Sequence, residues 1–578
     1  MLANGKFRAG YPGKGRYYLD RPVASQADKH VTPPSAVTSD APEAPPPVAA
    51  DRLLTATSVV GFMTLLSRMT GLARDIAMSS WLGSGAVMDA FTVAFKIPNL
   101  LRRFFAEGAF SQAFVPVISE YRAQRARAET QDLVDKVAGT LGLVLFVITL
   151  VGVVAAPLLI LAFAPGFARG DGRLPLAVDM LRLTFPYVLF VSLTALAGSI
   201  LNAYRRFAVA AFTPVLLNVV MIAFAGWVDP HLGRPGLGLA AGVFVAGLVQ
   251  LCFQLPFLRA LGMLPRPRWG AAHEGVRRIV KLMLPAIFGS SVAQISILLD
   301  TLIASFLAAG SISWLYFSDR LVEFPLGVFG IAIATVILPR LSEHHTTQSQ
   351  DTFSATLDWA LRLVFLIGLP AAVALAVLAE PLLATLFHRG EFTARDVAMS
   401  AASLRAYAPG LLGFILVKVL APGYFARQDT RTPVRAGIQA LILGMVLSLL
   451  FAMVLTTTGW APAHSGIAAA TACSALVNAV LLLRGLTASG VYRAGVGWPA
   501  LVWRVVVPTA VMAGVLLYGL SLRADWYAMS GLQRGGALAA LVGGGTVVYF
   551  GACYLCGLRF RDFAMRRSEE HTSERQSH

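Results

Sequence analysis

Five arginines stand inside long apolar stretches: Arg68 and Arg74 in the first, Arg102 and Arg103 in the second, and Arg320 in a later one. A charge at the centre of a bilayer costs roughly 2.5–3.5 kcal/mol on insertion scales, so such residues face a bundle interior or a water-filled cavity. Guanidinium groups bind phosphate through paired, charge-assisted hydrogen bonds. Several of them converging imply a polyanionic, phosphate-bearing cargo that crosses a membrane.

Spacing sorts these charges further. In Ser67–Asp75 (SRMTGLARD), Arg68 and Asp75 are seven apart and share a helical face, while Arg74 points about 100° away from Asp75. Snorkelling at the membrane interface is an alternative for Arg74 and Asp75. Asp89, Lys96 and Arg103 repeat at intervals of seven as one polar stripe, and Arg103 can pair with Glu107 at i,i+4. An ion-pair network without cargo explains those four equally well. Arg102 is rotated off the stripe and lacks an evident partner on its own helix, which makes it the better contact for a ligand. Asp319 and Arg320 are followed one turn later by Glu323, either a neutralising partner or part of a gate that exchanges partners. Asp300 is isolated in Leu298–Thr301 and suits a coupling cation, a proton or an arginine across the cavity. Lys418 is a further cavity candidate, and Arg182, Arg362 and Arg405 suit snorkelling.

No nucleophile with an adjacent base and no phosphate-binding loop of the Walker type is present, so neither catalysis nor ATP hydrolysis is expected of this chain. No cofactor and no metal are expected either. Cys553 and Cys556 form a CxxC but lack a second ligand pair, and His344–His345 lies in a polar loop. Transport would draw on an ion gradient or on membrane potential, worth roughly 2.3 kcal/mol per charge per 100 mV.

The elements that must position these residues are membrane-spanning helices. The chain has 578 residues, 56% apolar and 14% charged, with a mean hydropathy of +0.66. A soluble domain carries nearer a quarter charged residues. The net charge of +17 is scattered through short loops, which favours membrane topology over nucleic-acid binding. Apolar stretches of about 20 residues or more predict an all-α polytopic membrane protein with fourteen spans. They lie near 54–82, 86–118, 137–163, 177–204, 208–229, 236–261, 277–308, 312–339, 356–387, 398–425, 434–459, 466–488, 500–521 and 535–558. With a cytoplasmic N-terminus, the inner loops collect most of the arginines. The outer loops then carry only Arg169, Arg173, Arg234, Arg389, Arg395, Arg523 and Arg534. Both termini are therefore expected inside.

Two matches offset by six spans suggest a duplication. Pro116–Glu120 (PVISE) parallels Pro339–Glu343 (PRLSE), and Tyr204, Arg205 and Thr213–Pro214 parallel Tyr424, Arg427 and Thr432–Pro433. The expected organisation is an N-lobe over 51–270 (spans one to six), a C-lobe over 271–495 (seven to twelve) and two appended spans over 496–566, with a cavity between the lobes. Residues 1–50 read as a disordered extension and 567–578 (RSEEHTSERQSH) as a non-native tail.

Four blocks carry a family resemblance: SRMTGLARD (67–75), DAFTVAFKIPNLLRRFFAEGAFSQAFVP (89–116), SWLYFSDRLVEFPLGVFG (313–330) and VKVLAPGYFARQDTRTPV (417–434). Over about residues 52–565 the chain resembles the MurJ (MviN) lipid II flippases of the multidrug/oligosaccharidyl-lipid/polysaccharide exporter superfamily. The resemblance implies fourteen helices in two lobes and alternating access. It implies transfer of undecaprenyl-pyrophosphate-linked disaccharide-pentapeptide across the bacterial inner membrane, with cell-wall synthesis proteins as further partners. It also implies that Arg68, Arg74, Arg102 and Arg320 contact cargo, that Asp89 is sensitive, and that the last two helices hold the lipid tail. Some relatives are implied to bind sodium between the seventh, eleventh and twelfth helices. Here Asp300 fits the seventh-helix carboxylate but the eleventh helix offers only Gly444 and Ser448 in that stretch, so coupling by potential or protons is expected instead. The alternatives are a flippase for another polyprenyl-pyrophosphate glycan and a non-transporting scaffold for cell-wall enzymes.

Overall fold

Apolar runs of 20–30 residues leave the backbone one economical way to satisfy its hydrogen bonds in hydrocarbon, which is the helix. Every regular element among the described residues is helical. The structure, a computed structural model, describes residues 50–103, 109–330, 350–522 and 526–559, together with Ile333, Ile337 and Leu341. Contacts divide the chain between Leu53 and Leu54, and the helix packing and the cavity belong to the part from Leu54 onward. Glu107, all of the Pro339–Glu343 repeat half except Leu341, His344–His345 and both terminal segments lie outside the described residues.

The helices are α1 (Ala50–Leu82), α2 (Ala86–Arg102), α3 (Ala109–Gln124), α4 (Arg127–Val154), α5 (Ala156–Phe163), α6 (Arg173–Thr184), α7 (Tyr187–Ala203), α8 (Phe207–Ala223) and α9 (Leu237–Ala260). They continue with α10 (Glu274–Ser305), α11 (Ser311–Pro325), α12 (Gln350–Val377), α13 (Ala379–Phe387), α14 (Ala394–Phe425), α15 (Arg431–Thr458), α16 (Ala463–Ala488), α17 (Trp498–Ser521) and α18 (Gly531–Leu555). Ten helical segments among the described residues are long and apolar enough to cross a bilayer. The other four predicted spans fall on α1, on α2 with α3, on α10 and on α11, the segments that carry the charges singled out above. Length and hydropathy alone therefore do not reach fourteen.

The helices pack as two groups. In the first, α7 and α8 pack on α9, α2 on α6 and α3 on α7; in the second, α14 and α15 pack on α16, and α11 and α12 on α14. The long α10 touches both groups. Its start buries Val276 and Ile279 among Phe110, Phe114 and Leu133 of the first, and its body packs along α15 of the second. The hairpin α17–α18 joins the second group through α12 and α13. There Tyr549 and Cys553 pack with Val505 and Met512, and the hydroxyl of Tyr549 donates to the carbonyl of Leu366 at 2.6 Å.

Local breaks occur beside the charges. Pro325 removes a backbone donor at the end of α11, and the chain runs on as a π turn over Leu326–Gly330. At the start of α14, the hydroxyl of Thr393 accepts from the backbone N–H of Asp396, and the Asp396 carboxylate accepts from the N–H of Thr393, fixing that helix's first turn.

Candidate functional site

A cavity of about 660 Å³ lies between the two helix groups. Its basic lining residues are Arg74, Lys96, Arg103, Arg320 and Lys418, and its acidic ones are Asp300, Asp319 and Glu323. Five basic groups against three acidic ones make it a place for an anion.

Arg74 and Asp75 anchor the first wall. Both are buried, at 6% and 2% exposure, so neither snorkels. They pair directly, Arg74 Nη2 lying 2.7 Å from Asp75 Oδ1. The pairing across neighbouring positions works because partners from two other helices hold it in place. Asn218 of α8 accepts from Arg74 Nη1 at 3.1 Å while its own amide N–H donates to the carbonyl of Ser67 and the hydroxyl of Thr70. Tyr316 of α11 accepts from Arg74 Nη2 at 3.3 Å and donates to Asp75 Oδ1 at 2.8 Å. Arg320 crosses from the second group. Its Nε is 3.1 Å from Asp75 Oδ2, at an angle that leaves the Nε–H without a hydrogen bond, its Nη1 is 2.9 Å from Glu323 Oε2, and its Nη2 donates to Tyr316 at 3.2 Å. The group Asp75–Arg74–Tyr316–Arg320–Glu323 thus ties α1 to α11 inside the cavity.

The predicted stripe on α2 divides. Lys96 lines the cavity and donates to Thr301 at 2.8 Å; Arg103 lines it and donates to Gln294 at 3.0 Å. Asp89 is fully buried, outside the described lining, and serves α11 instead. It accepts from the backbone N–H groups of Gly310 and Ser313 at 2.8 Å each, from the Ser313 hydroxyl at 2.5 Å, and from Arg173 Nη1 at 3.4 Å. A carboxylate on the first amides of a helix meets unsatisfied donors and the positive end of the helix dipole. Arg173 also donates to the carbonyls of Ser305 and Leu307.

This end of the bundle is closed elsewhere as well. The turn after α1 meets the turn before α14, where Glu391 N–H donates to the carbonyl of Ser80 at 3.0 Å. Gly83 and Gly390 have φ of +63° and +54°, and a Cβ on Gly390 would collide with the Ser80 carbonyl oxygen. The Ser84 hydroxyl donates to Asp396, which also accepts from Trp314 Nε1 at 3.0 Å. At the opposite end Arg278 of α10 forms a two-pronged pair with Glu120 of α3, Nη2 to Oε2 at 2.8 Å, which holds the Glu120 carboxyl below the usual glutamate range.

Arg68 and Arg102 are not among the described lining residues. The Arg68 guanidinium lies over Gly327 in the π turn, where a Cβ would collide with its Nη1. Arg102 Nε donates to the lining residue Asn99 at 2.8 Å. Gly327→Ala is therefore expected to displace Arg68 while leaving the fold intact, because the colliding atom ends a flexible side chain. If Arg68 contacts cargo, as the resemblance implies, transport per protein falls about tenfold with melting temperature nearly unchanged, as for one lost charge-assisted contact. Equal transport by the variant would leave Arg68 no part in cargo binding.

Asp300 meets Thr471 Oγ1 at 3.3 Å and Ser448 Oγ at 3.5 Å, both donating to its carboxylate. Arg182, Arg362 and Arg405 pair with Asp179, Asp358 and Glu380. Sequence reasoning missed Asn218, Tyr316, Gln294 and Arg173, and also Asn478, which lines the cavity. The two asparagines were detectable as amides inside apolar spans, whereas Arg173 reads as an ordinary loop charge.

The profile of the family described as lipid II flippase MurJ matches residues 78–535. A protein of Vibrio cholerae serotype O1 named probable lipid II flippase MurJ is 48% identical over 518 residues, covering 88% of this chain and 97% of that protein. The Burkholderia cenocepacia protein named lipid II flippase MurJ is 42% identical over 515 residues, covering 88% and 98%. In fold, the chain is similar to a solved structure described as lipid II flippase MurJ in an inward closed conformation. The TM-score is 0.71 at 23% identity, over 86% of this chain and 98% of that one. With the sequence identity, the match across both helix groups and the arginine-lined cavity agreeing, this chain belongs to the MurJ family of lipid II flippases.

Proposed function

We propose that this chain is a lipid II flippase, a transporter rather than a catalyst, which moves the undecaprenyl-pyrophosphate-linked precursor across the bacterial inner membrane. The observation that carries this reading is the cavity itself: five basic side chains between two helix groups, sealed at the Gly83 end.

The Gly83 end is the periplasmic one, as the distribution of loop arginines supports, and both termini are cytoplasmic. The chain crosses the membrane fourteen times. The two helix groups are lobes spanning 51–270 and 271–495, and α17 and α18 form an appended unit within 496–566 that guides the isoprenoid tail. Head group enters from the cytoplasm, where Phe425, Pro433 and Val434 line the cavity. Arg74 and Arg320 receive the diphosphate, aided by Lys96 and Arg103. Arg68 and Arg102 join as the lobes move, being next to the π turn and to Asn99. Cargo competes with Asp75 and Glu323 for Arg320, which loosens the tie between α1 and α11. The seal around Asp89, Ser84 and Ser80 then opens and releases cargo outward. A change of partners of this kind moves a two-state carrier only as far as cargo prefers one state. Asp300, held by two hydroxyls, is the candidate for a coupling cation or proton.

The test is lipid II at the outer leaflet of cells depleted of their own flippase and expressing this full chain. Restoration is expected. Failure with folded protein in the membrane, and rescue instead of another polyprenyl-linked glycan, would reassign the cargo.

A further inference from the structure

The basic groups of the cavity are held in two different ways. Arg74 and Arg320 lie against carboxylates: Arg74 pairs with Asp75, and Arg320 with Asp75 and Glu323. Arg103 and Lys96 are held by neutral oxygens. Arg103 Nη1 donates to Gln294 Oε1 at 3.0 Å and Lys96 Nζ to Thr301 Oγ1 at 2.8 Å, and neither cation has an ion pair among the described residues. The two donors stand seven apart on α2, and the two acceptors stand seven apart on α10 in the reverse order. Seven residues are close to two helical turns, so Gln294 and Thr301 share one face of α10, turned to the α2 stripe. All four residues line the cavity. The Thr301 hydroxyl gives its own proton to the carbonyl of Ile297 at 2.8 Å, which leaves a lone pair for Lys96.

A neutral oxygen and a carboxylate act differently on a cation that must bind phosphate. A carboxylate in contact cancels the charge, and in a site of low dielectric the cargo has to displace it. An amide oxygen fixes the side chain yet leaves its charge whole. A guanidinium has five N–H donors, so the one given to Gln294 still leaves a fork for a diphosphate. Ordering a long side chain in advance also removes part of the entropy lost on binding. Lys96 faces Asp300 and Asp319 at longer range, which makes Arg103 and Gln294 the cleaner pair.

We infer that Gln294 is a positioning residue for the head group: it holds Arg103 toward α10 and presents it to the diphosphate with its charge uncancelled. Thr301 serves Lys96 in the same way. This rests on the reading of the cargo as a lipid-linked diphosphate. The cavity thus has two kinds of basic group, arginines that must exchange partners and cations that meet cargo with their charge already free.

Binding of undecaprenyl diphosphate to the purified full-length protein in lipid nanodiscs tests this. Gln294→Met keeps the volume and loses the acceptor, and affinity is expected to fall about fivefold, equivalent to about 1 kcal/mol. Gln294→Glu keeps the shape and the acceptor but adds a charge, and affinity is expected to fall about thirtyfold. The order of the two is diagnostic, because a residue that only held Arg103 in place would hold it better as glutamate. With Arg103→Ala already present, Gln294→Met is expected to change affinity by less than about twofold, since the two side chains act as one unit. Wild-type affinity in Gln294→Glu overturns the inference, as does the same loss from Gln294→Met with and without Arg103. Wild-type affinity in Arg103→Ala overturns it too, and leaves the flippase reading standing. A wild type that binds neither undecaprenyl diphosphate nor lipid II overturns that reading itself.

Discussion

Replacing Arg320 with glutamate is expected to lower lipid II transport per protein about a thousandfold, while the chain still reaches the membrane. Arg320, from the second helix group, meets Asp75, Glu323 and Tyr316 together. Reversal turns five basic and three acidic lining groups into four of each, and sets the new carboxylate beside Asp75, Asp319 and Glu323. Loss of two charge-assisted contacts at about 2 kcal/mol each reaches a thousandfold before repulsion is added. Arg320→Lys keeps the charge but loses the planar fork, so a loss of about tenfold is expected. Outer-leaflet lipid II, normalised to membrane protein, measures both. Wild-type transport by Arg320→Glu would remove the α1–α11 tie from the mechanism.

Asp89→Ala should open the Gly83 end. Removing this carboxylate strips the acceptor from two backbone amides and one hydroxyl at the start of α11, and leaves buried Arg173 with Asp171 and backbone carbonyls only. Breaking a buried charge network in this way costs about 3–5 kcal/mol, and about 5.5 kcal/mol separates a 1:99 from a 99:1 population. Most molecules should therefore leave the sealed state. Spin labels at the exposed positions Arg234 and Trp460 report this as a shift to longer distances. Asp89→Asn keeps one acceptor and should shift less. A distance distribution identical to wild type would mean that the backbone contact between Ser80 and Glu391 holds this end alone.

How much of this was legible in the sequence depends on whether each feature is local. Apolar length reveals the helical membrane class, because hydrocarbon leaves the backbone little choice. A spacing of seven puts Lys96 and Arg103 on one face of α2, a local property, and both line the cavity. Asp89 of the same stripe is instead an ion-pair partner of Arg173 and an acceptor for the start of α11, more than two hundred residues away, which no spacing within α2 contains. Helical angle within α1 sets Arg74 and Asp75 apart. Their side chains nevertheless converge, because Asn218 and Tyr316 approach from two other helices, and no pattern within α1 contains that. Preferring Arg102 to Arg103 as a ligand contact uses rotation about α2 alone, and does not anticipate Gln294 of α10 as partner to Arg103. Gly327 carries no signal at all, for its role is the room it leaves Arg68.

Transbilayer movement of fluorescent lipid II in proteoliposomes shows whether a lipid-linked diphosphate crosses through the arginine cavity. Vesicles containing the full chain are compared with protein-free vesicles and with vesicles containing Arg74→Ala at equal protein density. Acceleration by the wild type and its near-complete loss with Arg74→Ala is the predicted result. Movement no faster than in protein-free vesicles, or equally fast with Arg74→Ala, would contradict it.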